Sequence, residues 1–529
     1  METITPCDAA EPVLVAGRWR AAAATDHFRA VDPTTGRERP ERWPVSGWND
    51  VAAALDAATA AAATLGRLPG ERLAAFLERY ADRLAARATE LVAVAHAESG
   101  LEIAPRLADV ELPRTLDQLL QAAAAAREGT WRMAMIDSRR NIRSAAFGLG
   151  PVVVFPPANF PLAYGAVTGG DFAAAIAAGN PVIAKAHPGN PGVSRLAAEE
   201  AVASLHDTGL PAATLQLLHG LSPEDGERLV ADPRVGATGF TGGQEAGRRL
   251  YAAAAAAGRV IWVEMGSINP VVLLPGAVAD RGIEIAEALT ASVTGSAGQF
   301  CTKPGLVFFI ADEAAGTLTQ AVAARFAAIG EQVLLGPAGR DRLVAAIAAL
   351  ERSGARLVAG GGAADGPCGH RPTLLEVPAA ELLARPESLV IEAFGNATLL
   401  VPCRDEAQLL EAVACVPGAL GASIYAAADG RDDAAFARVA ERLVPRAGRI
   451  IENRMPTGVA VVPPMQHGGP WPSAGPPFFS AVGMPWSILR FARRICFDGW
   501  SQPRLPECLR DEPPPGRPWR YVDAEWTRG

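Results

Sequence analysis

The sequence predicts an α/β protein built as two Rossmann-like lobes, each a parallel sheet wrapped in helices, with a small outlying β-ribbon. Three observations predict it. From residue 151 short β-rich runs alternate with Ala-rich segments of helical length, the rhythm of βαβ units. The same rhythm starts afresh near 268. A chain of 529 residues also exceeds what one hydrophobic core organises, so two large lobes are expected.

Taken in order, residues 48–128 form a helical lead-in, because Leu73, Phe76, Leu77, Tyr80 and Leu84 recur at helical spacing among good helix formers. The first parallel sheet is expected from PVVVF (151–155), PVIAKA (181–186), TLQLL (214–218), VGATGF (235–240) and RVIWVE (259–264). The second is expected from VVLL (271–274), LVFFI (306–310), LGASIYA (420–426) and GRIIEN (448–453), with a helix through the 280s and 290s. Polar residues 130–148 lack a helical period and pair with 480–502 as the ribbon, and the Pro-rich tail from 503 to 529 reads as irregular. The lobes therefore divide as 1–129 with 149–266, and 267–479.

Composition removes several function classes. Hydrophobic residues make up 49% and charged residues 20%, which suits a soluble globular interior rather than disorder. The net charge of −8 comes from interleaved acids and bases with no basic stripe, so nucleic acid is not an expected partner. No apolar run is long enough to cross a bilayer, and the acidic N-terminus has no basic, then apolar, leader pattern. Seven dispersed cysteines without C-x-x-C pairs, and equally dispersed histidines, point to reduced thiols in the cytoplasm and to no metal site.

Four segments carry the candidate chemistry: PPANFP (156–161), VIAKAHP (182–188), GFTGGQEAG (239–247) running on to VEMGSINP (263–270), and GQFCTKPG (298–305). Cys301 lies in a Gly-flanked polar turn after a helix, where a thiolate can serve as a covalent nucleophile, although a lone Cys is more often packed in a core. Glu264 closes a strand at the sheet's carboxyl edge, where α/β folds place ligands, and reads either as a general base or as a solvated strand end. Asn159 follows the first strand and is either an oxyanion donor or a turn residue. Lys185 ends the second strand and either reaches a ribose or phosphate or snorkels from the edge. Glycines at 242 and 243 turn a strand into a helix whose N-terminus can face a pyrophosphate, but no G-x-G-x-x-G accompanies them.

In this order and spacing the segments resemble the aldehyde dehydrogenase superfamily, from about residue 12 to 510. The matching pieces are NFP (159–161), the Lys of VIAKAHP, GFTG (239–242), EMGS (264–267), GQFCT (298–302), EAFG (392–395) and PTGV (456–459). FRAVDPTTG (28–36), AGNPVIAKAHPGNPG (178–192), EMGSINP and MQHGGPWP (465–472) are most similar to the α-ketoglutarate semialdehyde (2,5-dioxovalerate) dehydrogenases, and next to NADP-dependent fatty aldehyde dehydrogenases.

The resemblance implies that the first lobe binds NAD(P), the second is catalytic, and the ribbon assembles a homodimer or homotetramer. It implies that Cys301 forms a thiohemiacetal, that Asn159 holds its oxyanion, and that Glu264 activates the water that frees the acid. Lys185 would contact the adenosine ribose, Gly242 and Gly243 the pyrophosphate, and Glu392 with Phe394 the nicotinamide ribose and ring. Pro188 stands where many NAD-specific members carry a Glu, so NADP as well as NAD is expected beside Lys185.

Gly243 replaces the family's usual Ser and Asn396 its usual Pro, while 473–480 and the pair Arg454 and Met455 depart from the branch pattern. These positions, with His467, are expected to shape the substrate mouth, where Arg454 pairs with a substrate carboxylate or faces solvent. Two rival classes are a Cys-dependent acyl transferase or esterase without a redox cofactor, for which Cys301 lacks an evident His partner except His467, and a catalytically retired scaffold. The intact trio of Asn159, Glu264 and Cys301 speaks against the second.

Overall fold

The computed structural model describes residues 9–362, 364–514 and 516–528; Cys7 lies outside the described residues. Two large sheets dominate. In the first, the parallel strands Leu215–Leu218, Val182–Lys185, Val152–Phe155, Ala237–Thr241 and Val260–Glu264 lie side by side in that order. In the second, Ala397–Cys403, Pro304–Ile310, Asn269–Leu273, Ala419–Tyr425 and Ala447–Glu452 are likewise parallel neighbours. Numbered by their place in the chain, both cores run 3-2-1-4-5, the order of a doubly wound sheet, and each therefore has a switch point between its first and fourth strands.

The strands are read correctly because their residues are buried on both faces. Val152, Val153, Val154, Val182 and Ile183 are no more than 1% exposed, which gives a continuous β-branched run rather than an alternating one. The helical lead-in covers the first sheet. In the helix Gly70–Ala86 the buried residues Leu73, Phe76, Leu77, Tyr80 and Leu84 make one apolar stripe. The Tyr80 hydroxyl lies 3.1 Å from the carbonyls of both Val167 and Ala197, so the buried phenol is not left unpaired. The helix Pro191–Thr208 has Pro at its start and stops at Gly209, whose φ of 64° suits a left-handed cap.

Several elements differ from the sequence reading. The second sheet gains three strands, Thr373–Glu376, Arg356–Gly360 and the core strand Ala397–Cys403, whose short apolar runs sit among irregular connections. The first sheet gains Ala474–Gly475, antiparallel to the strand of Glu264, so the segment 473–480 crosses back onto the other lobe. Strands Met135–Asp137 and Ile142–Gly148 pair with each other, and the latter pairs antiparallel with Ala492–Asp498. The tail is not irregular: Arg520–Val522 and Glu525–Thr527 complete that sheet of five. Its prolines stop short of residue 520, and the Arg520–Thr527 hairpin then turns through Asp523 and Ala524, both at positive φ. Among the described residues no helix is long and apolar enough to cross a membrane.

Phe308 is fully buried on a core strand of the second sheet. Phe308→Ala is expected to cost about 3–5 kcal/mol of stability, read by chemical denaturation.

Candidate active site

Asn159 and the 242–243 turn emerge from the first and fourth strands of the first sheet, at its switch point, where an open α/β sheet leaves a crevice. Glu264 ends the neighbouring strand and is 1% exposed. The peptide around it is clamped: Met265 N–H donates to the Ser473 carbonyl at 2.7 Å, and Gly242 N–H donates to the Glu264 carbonyl at 3.0 Å.

Cys301 arrives from the second lobe on a constrained turn. The helix Pro275–Thr294 is followed by Ser296 and Ala297 at φ of 48° and 53°, conformations that non-glycine residues adopt at a cost. Gly298 is required at φ 67°, because a Cβ there would lie 2.3 Å from the Gly395 carbonyl oxygen. Asn269 then pins the loop, its amide donating to the carbonyls of Cys301 and Lys303, both at 2.9 Å.

The lobes meet at the sulfur. Cys301 Sγ is 3.6 Å from His467 Nε2, and that nitrogen is 3.2 Å from Glu264 Oε1. His467 is 2% exposed and rides on a loop held close by glycines: a Cβ on Gly448 would lie 1.9 Å from the Gly468 carbonyl oxygen. Neither Glu264 oxygen completes a well-directed hydrogen bond with a described group, which makes this carboxylate the least satisfied polar group of the site. Cys301 packs against a buried apolar cluster of Leu420, Ala474, Phe479 and Ala481. Burial, and then the negative charge of Glu264, push the Cys301 thiol well above its ordinary value, while Arg114 works in the opposite direction.

Asn159 is tied to this centre. Its amide Nδ2 donates to the Gln299 carbonyl at 2.9 Å, two residues before Cys301, and its own backbone carbonyl accepts from Arg106 Nη2 at 2.9 Å. Arg106 also donates through Nε to Ser296 Oγ at 3.2 Å, lies 4.4 Å over the Phe160 ring and forms a buried ion pair with Glu111. Glu111 in turn accepts the N–H groups of Leu162 and Ala163 at 2.8 and 3.0 Å.

Of the residues that the sequence assigns to a dinucleotide, Lys185 ends the strand Val182–Lys185 and Gly243 follows the strand Ala237–Thr241. Lys185 is half-buried with no ion pair among the described residues, and burial lowers its ammonium to about 8. Gly243 caps the helix Gln244–Ala256 and a Cβ there would meet nothing within 4 Å, so the helix N-terminus is open to a ligand. Glu392 accepts the Ser267 N–H at 3.1 Å and fills the place that a Gly266 Cβ would take, at 2.0 Å from its Oε2. Its carboxyl is raised to about 7 by burial, against the pull of Lys303, which burial in turn lowers to about 8. Phe394 is half-buried beside Glu392 in sequence, whereas Asn396 is fully buried and bonded to His370 and Gln332.

At the mouth the structure takes the solvent-facing of the two readings of Arg454. Arg454 is exposed, and Met455 packs against the core beneath the second sheet. The guanidinium groups on the sulfur's side are Arg114 and Arg449, neither of which sequence reasoning singled out. Arg114 donates to the Val459 carbonyl at 3.1 Å and the Tyr164 hydroxyl at 3.2 Å, while its buried Nε is unpaired. Arg106, Glu111, Lys303 and Asn269 were also missed. Arg106 and Glu111 lie in the helical lead-in, far from every motif, and carry no local signal. Asn269 and Lys303 stand inside quoted motifs, so their position beside Glu264 and Cys301 was the available cue.

The two doubly wound lobes gather a thiol, a carboxylate and an amide in one crevice, the setting of an enzyme's active site. The chain belongs to the aldehyde dehydrogenase family, whose pattern matches residues 19–474, and its reaction class is the oxidation of aldehydes. It is 38% identical over 526 residues to alpha-ketoglutaric semialdehyde dehydrogenase 2 of Azospirillum brasilense, covering 95% of this chain and 97% of that one. It is 33% identical over 456 residues to the alpha-ketoglutaric semialdehyde dehydrogenase of Acinetobacter baylyi, covering 84% and 85%. The fold matches aldehyde dehydrogenase C of Pseudomonas syringae, solved as a C291A mutant with NAD+ and octanal, at a TM-score of 0.79 and 22% identity over 95% of this chain and 99% of that one.

Two outcomes check this geometry. In cofactor-free protein, alkylation of Cys301 is expected to keep accelerating with pH beyond the ordinary thiol value of 9.0, and Glu264→Gln should move the profile to lower pH by removing a negative charge beside the sulfur. Mass-spectrometric alkylation rates read both. Arg106→Met, which strands Glu111 and frees Asn159 and Ser296, is expected to cost about 3–5 kcal/mol of stability and about 10²-fold in kcat, measured by denaturation and steady-state assay.

Proposed function

We propose that the protein oxidises an aldehyde bearing a distal carboxylate, of the α-ketoglutarate semialdehyde kind, to the corresponding acid with NAD or NADP. The contact of Cys301 with the His467 and Glu264 pair carries the mechanism. Cys301 Sγ attacks the aldehyde carbon, and its proton passes to the Glu264–His467 pair. The resulting oxyanion is held by the second N–H of the Asn159 amide and by the Cys301 backbone N–H, which donates to no other described group. NAD or NADP, when bound, would supply the hydride acceptor that turns this adduct into a thioester on Cys301. Glu264, its oxygens free of other well-directed bonds, then activates the water that releases the acid.

The residues fit a dinucleotide: an open helix N-terminus at Gly243 for the pyrophosphate, and Glu392 for the nicotinamide ribose. Lys185 faces the adenosine ribose, and Pro188 supplies no carboxylate to repel a 2′-phosphate, which supports use of NADP as well as NAD. Arg114 and Arg449 support the substrate class, because both are half-buried and neither is in an ion pair among the described residues. The names of the two relatives point the same way. The exposed strand Ala492–Asp498 offers an unpaired edge through which a homodimer or homotetramer would assemble, and the dispersed thiols suit the cytoplasm.

A second reading, an aliphatic aldehyde of medium chain length, is favoured by Phe478, 65% exposed and packed edge-on against Trp486 at 5.8 Å. A matrix of ω-oxo acids and neutral aldehydes of equal length, each with NAD and NADP, decides between them by kcat/KM. The ω-oxo acids should win, Cys301→Ala should abolish turnover, and Arg114→Met should cost about 10–100-fold on the acids alone, the size of a charged hydrogen bond. Equal rates for acids and neutral aldehydes in the wild type would overturn the carboxylate reading.

A further inference from the structure

The three groups at the centre also form a metal-binding geometry that the oxidation chemistry does not use. Cys301 Sγ, His467 Nε2 and a Glu264 oxygen all lie within 4.8 Å of one another. A tetrahedral zinc ion, with bonds of about 2.3 Å to sulfur and about 2.0–2.2 Å to nitrogen and oxygen, holds its sulfur and nitrogen about 3.6 Å apart and its nitrogen and oxygen about 3.4 Å apart. The observed separations are 3.6 Å and 3.2 Å. Two of the three separations thus match such an ion, and the third, from sulfur to carboxylate oxygen, lies within 4.8 Å, a gap that side-chain rotation can close.

The chemistry of the donors agrees with the distances. Thiolate, imidazole and carboxylate are the ligand types that zinc selects, and three of them leave a fourth position for water. The carboxylate is 1% exposed and lacks a well-directed hydrogen bond, so the cation would replace only the contact of one of its oxygens with His467. Among the described residues no other cluster of three such side chains is close enough to compete. Cys496, an exposed thiol, has no such neighbours.

We propose that Cys301, His467 and Glu264 form a binding site for zinc or a similarly thiophilic divalent cation, which switches the enzyme off reversibly. On binding, the thiol proton leaves to solvent and the sulfur lone pair that would attack the aldehyde is donated to the cation. The water-activating carboxylate is taken at the same time, so both halves of the reaction stop. Aldehyde and cation are mutually exclusive, and a chelator restores the free thiol without any reductant.

The test uses the reduced full-length chain after chelator treatment. Cadmium titration is expected to give a thiolate-to-metal absorbance band with a stoichiometry of one, absent in Cys301→Ser and unchanged in Cys496→Ser. His467→Asn and Glu264→Gln should each weaken it by at least about 10-fold. In the wild type, zinc should slow alkylation of Cys301 selectively, located by peptide mapping, and EDTA should restore the rate; this readout needs no variant to fold. Equal cadmium affinity in wild type and both ligand variants, or zinc protection spread evenly over Cys301 and Cys496, would overturn the proposal. Either result leaves the aldehyde activity, measured separately in chelator, untouched.

Discussion

The buried ion pair between Arg106 and Glu111 is the interaction on which the site depends. Through it one guanidinium holds the Asn159 carbonyl, the Ser296 hydroxyl and the Phe160 ring, while the carboxylate gathers the N–H groups of residues 162 and 163. These belong to the lead-in, the first lobe and the loop of the nucleophile. An ion pair with so little exposure contributes little net stability once desolvation is counted, but losing one member is expensive because the other stays buried. Its value here is registry: Asn159 and the turn that carries Cys301 are fixed to the same planar group.

That registry explains how the chain tolerates a strained approach to Cys301. Two consecutive non-glycine residues with positive φ would unravel in an unsupported loop. Here the turn is closed by the Ser296 bond to Arg106 on one side and by the Asn269 amide on the other. Asn269 is itself fixed by Ser267 at 3.0 Å and by the Gly421 N–H at 3.1 Å, so the second sheet's switch point and the nucleophile's loop share one anchor. Rigid sheets carry the reacting groups, and the strain is confined to the few residues that turn the thiol toward the crevice.

What was legible in the sequence follows from where each signal is stored. The core strands and the positions of Cys301, Glu264 and Asn159 relative to them are local facts, carried by β-branched runs and by the residue that ends each run. The contact of His467 with the sulfur is not local, since 166 positions separate them and only the packing of glycines at 448 and 468 brings the loop in. Arg114 looks like any helical arginine until Tyr164 and Val459 fold against it. Arg454 stands out because it departs from the branch pattern, and of its two readings the chain takes the one that turns the side chain to solvent. The tail misled for the opposite reason: its prolines are real loop signals, but they end before the hairpin that the β-ribbon captures.

The electrostatics of the centre carry one further consequence. A cation that favours the thiolate and a cation that reads an anionic substrate cannot be fully the same charge, because a carboxylate seated on Arg114 cancels the field that Arg114 exerts at Cys301. The fold supplies a second guanidinium, Arg449, which interacts with the sulfur and is held by the carbonyls of Pro456 and Gly458 rather than by an acid. With two guanidinium groups near the sulfur, one would go on opposing the negative charge of Glu264 there if a substrate carboxylate were seated on the other. His467 touches both that sulfur and Glu264, so a proton leaving the thiol has a neighbouring acceptor.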